Sequence, residues 1–142
     1  MASVAPYLNF NGNTEEAFNF YKSVFGGEFC MVMRYKDAPS EHQMGESNGN
    51  KIMHISLPLG HGTLLMGSDV PEMYSNATIG SNISISINAE SKEEADRIFN
   101  GLSAGGQVTM PMENAFWGSY FGMFKDQFEI NWMVGYDENP QQ

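Results

Sequence analysis

The apolar residues along this chain alternate between two spacings. From Ala17 they fall at Ala17, Phe20, Tyr21, Val24 and Phe25, and from Ala95 at Ala95, Ile98, Phe99 and Leu102. Both follow the i, i+3, i+4, i+7 stripe of a helix lying on a core. Elsewhere the period is two. Asn82-Ile83-Ser84-Ile85-Ser86-Ile87-Asn88 alternates strictly and predicts a strand, as do Phe128, Ile130, Trp132 and Val134.

The two helices belong to an internal repeat. Asn13-Thr14-Glu15-Glu16-Ala17 has a counterpart in Ser91-Lys92-Glu93-Glu94-Ala95, and Gly26-Gly27 in Gly105-Gly106. Asn13 with Glu16, and Ser91 with Glu94, have capping-box spacing, and each Gly-Gly pair can stop a helix in the left-handed conformation. A strand at 6–10 precedes the first helix; strands at 28–35, 51–59 and 62–67 follow it, the last two turning at Gly60-His61. A strand at 82–88 precedes the second helix. Strands at 107–110, 119–124 and 128–134 follow, the last two turning at Lys125-Asp126-Gln127. Each half reads β-α-β-β-β. The modules span about 3–69 and 81–135, joined by a linker near 70–80 and followed by a tail from 136. The segments 36–50 and 68–80 read as polar loops.

Composition narrows the possible partners. The 142 residues hold 17 acids against 7 bases, a formal charge of −10. A nucleic-acid partner is not expected, because phosphate binding needs clustered Lys and Arg. No apolar run approaches the roughly 20 residues of a membrane span, and the first residues have neither a basic region nor a long apolar stretch. No membrane partner is expected. One cysteine, Cys30, rules out an internal disulfide and a Cys-based structural zinc site. A reduced, cytoplasmic setting is the expectation.

The doubled βαβββ unit resembles the vicinal oxygen chelate superfamily, the group of glyoxalases, bleomycin-resistance proteins and extradiol dioxygenases. Pro6-Tyr7-Leu8-Asn9-Phe10-Asn11-Gly12, Glu16-Ala17-Phe18-Asn19-Phe20-Tyr21 and Val24-Phe25-Gly26-Gly27 are similar to the opening of its PhnB-like branch. So are His54, Phe116-Trp117-Gly118, Phe121-Gly122 and Asp126-Gln127-Phe128 with Trp132. The resemblance implies an α+β fold, two βαβββ modules in tandem forming a curled mixed sheet around a cleft, and a homodimer. Members of the branch are often described as demethylubiquinone methyltransferases. A methyl-donor site of the nucleotide type calls for a Gly-rich strand-to-helix turn, and Gly26-Gly27 follows a helix instead.

Metal-dependent members of the superfamily place His, Glu or Gln from four strands into the cleft. Matched onto this chain, those positions are Asn82, Asn131, Leu65 and a residue between Ala5 and Tyr7. None is His or Glu, so no metal site of the usual kind, and no cofactor, is expected. Strand parity places Ile83, Ile85 and Ile87 under a helix and Asn82, Ser84 and Ser86 in the cleft. The same rule puts Phe128, Ile130, Trp132 and Val134 inward and Glu129, Asn131 and Met133 in the cleft.

The remaining candidates are weighed singly. His42 reads as a solvated loop residue and His61 as an exposed turn residue. His54 lies on a strand, where an imidazole can orient a ligand or exchange a proton, or serve as a hydrogen-bonded sheet residue. Cys30, beside Met31, Val32 and Met33, reads as a buried, inert thiol. Trp117 follows a Pro-containing loop and either closes over a ligand or plugs a core or dimer seam. The methionines can form an adaptable wall.

The expectation drawn from these residues is a PhnB-like protein of unassigned activity that binds a small-molecule ligand. Tyr7, His54, Asn82, Ser84, Trp117 and Asn131 are its candidate binding residues, and none is assigned a catalytic role. The alternatives are a divalent-metal-dependent lyase, isomerase or dioxygenase recruiting His54 and Glu129, and a non-catalytic structural or regulatory dimer.

Overall fold

The computed structural model describes residues 2–39, 48–71 and 76–137, and His42 lies outside them. The chain forms two compact units, Met1–Thr78 and Ile79–Gln142. The first runs β1 (Tyr7–Phe10), α1 (Thr14–Phe25), β2 (Met31–Arg34), a 3-10 turn at Tyr35–Asp37, β3 (Ile52–Gly60) and β4 (Thr63–Asp69). The second runs β5 (Ile85–Asn88), α2 (Lys92–Ser103), β6 (Gln107–Asn114), β7 (Ser119–Lys125) and β8 (Asn131–Asp137). Both are βαβββ units with the same strand order, β1-β4-β3-β2 and β5-β8-β7-β6. In each, the strand before the helix pairs in parallel with the last strand, and the other neighbours are antiparallel.

In the first unit α1 buries Ala17, Phe18 and Tyr21 against a sheet face bearing the buried Ile55, Leu57 and Leu65. Each large apolar side chain so buried stabilises the fold by about 1.5–3 kcal/mol. Gly67 on β4 makes room for the ring of Phe18: a Cβ there would stand 2.7 Å from Phe18 Cε1 and 2.8 Å from the Leu8 carbonyl oxygen. The start of α1 departs from the capping-box expectation. The Asn13 side chain makes no cap bond. Instead the buried carboxylate of Asp69, at the end of β4, accepts from Thr14 N–H at 3.0 Å, Thr14 Oγ1 at 2.6 Å and, through its other oxygen, Ile52 N–H at 2.9 Å. One side chain thus ties α1, β3 and β4 together. Gly26 (φ +82°) and Gly27 (φ +81°) end the helix as expected. At its solvent side, Arg34 of β2 forms a two-pronged pair with Glu15 of α1, at 2.7 and 3.1 Å. That pairing holds the Glu15 carboxyl below its ordinary pKa and raises that of Arg34.

In the second unit α2 buries Ala95, Ile98, Phe99 and Leu102 against Phe124, Trp132 and Val134. Here the cap is the predicted one in its first half: Glu94 N–H donates to Ser91 Oγ at 3.0 Å. The reciprocal bond goes one residue further back, from Glu90 N–H to Glu94 Oε1 at 2.9 Å. Gly122 again yields to a ring, since a Cβ there would lie 2.8 Å from Phe99 Cε2. Tyr120 Oη donates to Asp96 on α2 at 2.6 Å, and this bond raises the tyrosine's pKa.

Four strand readings need correction. β5 starts at Ile85, so Asn82 and Ser84 precede the strand, and Ile83 is exposed rather than packed under a helix. The strict alternation of 82–88 outruns its pairing, because only Ile85–Asn88 have partners on β8. β6 continues through Pro111 to Asn114, which an edge strand allows because the missing N–H can face solvent. β8 begins at Asn131; Phe128 and Glu129 form its turn, with Asp126 Oδ1 accepting from Phe128 and Ile130 N–H. Glu129 sits there at φ +70°, not on a strand face. Finally, Leu65 is fully buried on the helix-facing side.

Candidate functional site

Register defines the two faces of each sheet. In the first unit the row Leu8, Gly67, Ile55, Val32 is a chain of Cα partners, and Gly67 lies under Phe18 of α1. That row faces the helix. The neighbouring row, Tyr7, Met66, Ser56, Met31, therefore lies on the open face. His54, two residues before Ser56 and paired with Met33, is on the same face. On β4 the open-face residues include Met66, whereas Leu65 points the other way; the register expected for this strand is off by one, which exchanges the faces.

Two polar contacts organise this face. Tyr7 Oη and His54 Nδ1 are 3.1 Å apart, their rings tilted by 32° with centroids separated by 5.6 Å. Since β4 lies between β1 and β3, the tyrosine reaches over a strand to meet the histidine. When the phenol donates, Nδ1 accepts and the other ring nitrogen, Nε2, carries the proton as a donor. The pair then offers a phenol oxygen and an N–H among the half-buried Met33 and Met66. The second contact is Cys30 Sγ to Ser56 Oγ at 2.9 Å. Cys30 is exposed, correcting the buried thiol expected from its apolar neighbours. It precedes β2, which is an edge strand among the described residues.

In the second unit, the row Ile85, Trp132, Phe124, Val108 contains two buried core residues and faces α2. The open face carries Ser86, Met133, Met123 and Met110 in one row and Asn88, Gly135, Phe121 and Glu113 in the next. This is a predominantly apolar surface of flexible thioethers and one ring. Trp117 stands at the β6–β7 hairpin tip and contacts Phe121, with centroids 6.1 Å apart.

The sequence-derived candidates thus separate. Tyr7 and His54 come together in the first unit. In the second, Trp117 joins Phe121. Asn131 is occupied structurally: its Nδ2 donates to the carbonyls of Gly80 at 3.1 Å and Ile83 at 3.4 Å, pinning the segment before β5. Asn82 lies in that exposed segment, and Ser84 is half-buried just before β5. Met66, Met33, Phe121 and Met123 escaped the sequence reading; correct strand register, anchored on Gly67 and Gly122, would have found them. Among the described residues, no three His, Cys, Asp or Glu side chains group closely enough to hold one metal ion.

Known proteins place this architecture. The sequence model of the family described as 3-demethylubiquinone-9 3-methyltransferase matches residues 2–135. Protein PA1353 from Pseudomonas aeruginosa is 39% identical, with a TM-score of 0.86 over 98% of this chain and 100% of that one. The PhnB protein from Bacillus cereus is 26% identical, with a TM-score of 0.75 over 95% of this chain and 99% of that one. Protein YjdN of Escherichia coli (strain K12) is 25% identical over 139 residues, 92% of each chain. With the family match spanning both βαβββ units, and with a fold shared with a glyoxylase/bleomycin resistance protein/dioxygenase domain, this chain belongs to the PhnB-like family.

Proposed function

We propose that this protein binds a small organic molecule on the open face of the first unit's sheet. The observation that carries the reading is the Tyr7–His54 pair, a hydrogen-bonded phenol and imidazole standing among methionines. Such a surface combines directional polar groups with adaptable apolar area, the usual make-up of a small-molecule site. The open face of the second unit, with Met133 and Trp117, is a binding surface in its own right. The same reading takes the protein as a cytoplasmic homodimer. Its support is the family resemblance and the lone, unpaired Cys30, and light scattering on the purified protein measures the oligomer.

We do not assign the methyl transfer named in the family description. A nucleotide-type methyl donor is held at an open helix N-terminus behind a Gly-rich turn. Here the α1 N-terminus is filled by the Asp69 carboxylate, and that of α2 by Ser91 and Glu94.

A thermal-shift screen of diverse small molecules tests the proposal, because a ligand that binds only the folded state raises its stability in proportion to ln(1 + [L]/Kd). The expected result is at least one compound whose stabilisation is weakened in both Tyr7→Phe and His54→Gln. Stabilisation by none, or by compounds indifferent to both substitutions, would refute it.

A further inference from the structure

We propose that the β6–β7 hairpin tip is a binding site for an organic cation, with Trp117 and Phe121 supplying ring faces and Glu113 the counter-charge. This rests on the reading of Trp117 as a ligand-binding residue and adds the chemical class of the ligand. The tip is a tight turn: Ala115 N–H donates to Ser119 O at 2.7 Å and Gly118 N–H to Ala115 O at 3.1 Å, with Gly118 at φ +97°. It holds Phe116 98% and Trp117 61% exposed, edge to face with centroids 5.1 Å apart. Trp117 also leans on Phe121 at an interplanar angle of 62°. Phe121 and Glu113 are cross-strand partners, so they share the open face.

Two vacancies give the tip its character. Among the described residues, the Glu113 carboxylate makes no hydrogen bond and no ion pair, and no Lys or Arg of the chain lies over Trp117 or Phe121. The Lys22 ammonium lies over Phe29 in the first unit; that of Lys92 lies over Tyr120, which borders this turn but on the opposite, helix-facing side of β7, where its hydroxyl donates to Asp96. An indole face is the best aromatic partner for a cation, and an adjacent carboxylate favours a charged ligand over a neutral one of the same shape. A quaternary ammonium group suits the site, because it is weakly hydrated and needs no directional hydrogen bond. The chain's formal charge of −10 adds long-range attraction of the same sign.

Choline and its neutral isostere 3,3-dimethylbutan-1-ol test this on the full chain by NMR. Two tryptophans give two indole signals, and Trp132 is fully buried, so it serves as the internal reference. Choline is expected to shift the Trp117 signal saturably and leave Trp132 unmoved, with the neutral alcohol at least five-fold weaker. Glu113→Gln should weaken choline several-fold on the same signal. Trp117→Ala should do likewise when saturation transfer to the choline methyl groups is the readout. An equal response to the neutral alcohol, or indifference to Glu113→Gln, would overturn the proposal. So would a Trp117 signal that follows protein concentration instead of choline, which would mark the tip as a self-association surface. A screen compound that depends on Tyr7 and His54, found while choline leaves Trp117 unmoved, would sink this inference and leave the binding function standing.

Discussion

The phenol oxygen of Tyr7 and Nδ1 of His54 meet at 3.1 Å although their strands are not neighbours. The contact fixes which ring nitrogen of His54 faces outward. Replacing Tyr7 by Phe removes one hydrogen bond, worth about 0.5–1.5 kcal/mol. Because Tyr7 is exposed, little of that falls on global stability. In Tyr7→Phe the ring 15N shifts of His54 should therefore move while those of His61 stay, with the melting temperature nearly unchanged. Unmoved His54 shifts would show that the bond is not populated in solution.

Asp69 has the opposite character: it is buried and serves three donors on two elements. Asp69→Ala should lower stability by roughly 3 kcal/mol, since buried donors left unsatisfied cost about 1–3 kcal/mol each and part of that is regained from water. Urea denaturation measures it. A midpoint within error of the parent would mean that Asp69 does not hold the start of α1.

Gly67 is constrained by packing. Gly67→Ala brings a methyl against Phe18 Cε1 and the Leu8 carbonyl, so a loss of about 1–3 kcal/mol from overpacking is expected. Phe18→Leu in the same chain relieves the ring clash but not the backbone one. The double variant should then fall short of the sum of the single losses, as thermal denaturation can read.

The Glu15–Arg34 pair carries a pH signature. Arg34 depresses the folded-state pKa of Glu15, so the pair contributes stability above the unfolded carboxylate pKa of about 4.3. That contribution fades as pH falls through the lower folded value. Glu15 is more than half exposed, which keeps the contribution below about 1 kcal/mol. Arg34→Gln should be less stable than the parent at pH 7, with the difference closing below pH 4. A difference that persists at pH 3 would assign the effect to the Arg34 bond with the Asn50 carbonyl instead.

Local pattern carried much of the architecture. The helical stripes of Ala17–Phe25 and Ala95–Leu102, the Ser91 cap and the Gly-Gly stops depend on interactions within a few residues, and all were legible; the β3–β4 turn falls at His61-Gly62, one residue beyond the expected Gly60-His61. So were the βαβββ repeat and, from its motifs, the family. Parity on β8, with Trp132 and Val134 inward, survived because burial of a large side chain leaves a strong signal.

Tertiary structure decided what depends on pairing. Asp69 replaced Asn13 as the cap of α1 because a distant strand end delivers a stronger acceptor than the local amide. Alternation could not reveal that Asn82–Ser84 precede the paired part of β5, nor that Leu65 faces the helix, since a one-residue change of register inverts every side chain, nor that Glu129 lies in the turn before β8. The meeting of Tyr7 with His54, and of Trp117 with Phe121 and Glu113, follows from strand order and hairpin geometry. These are long-range hydrogen-bond choices, and no spacing along the chain encodes them.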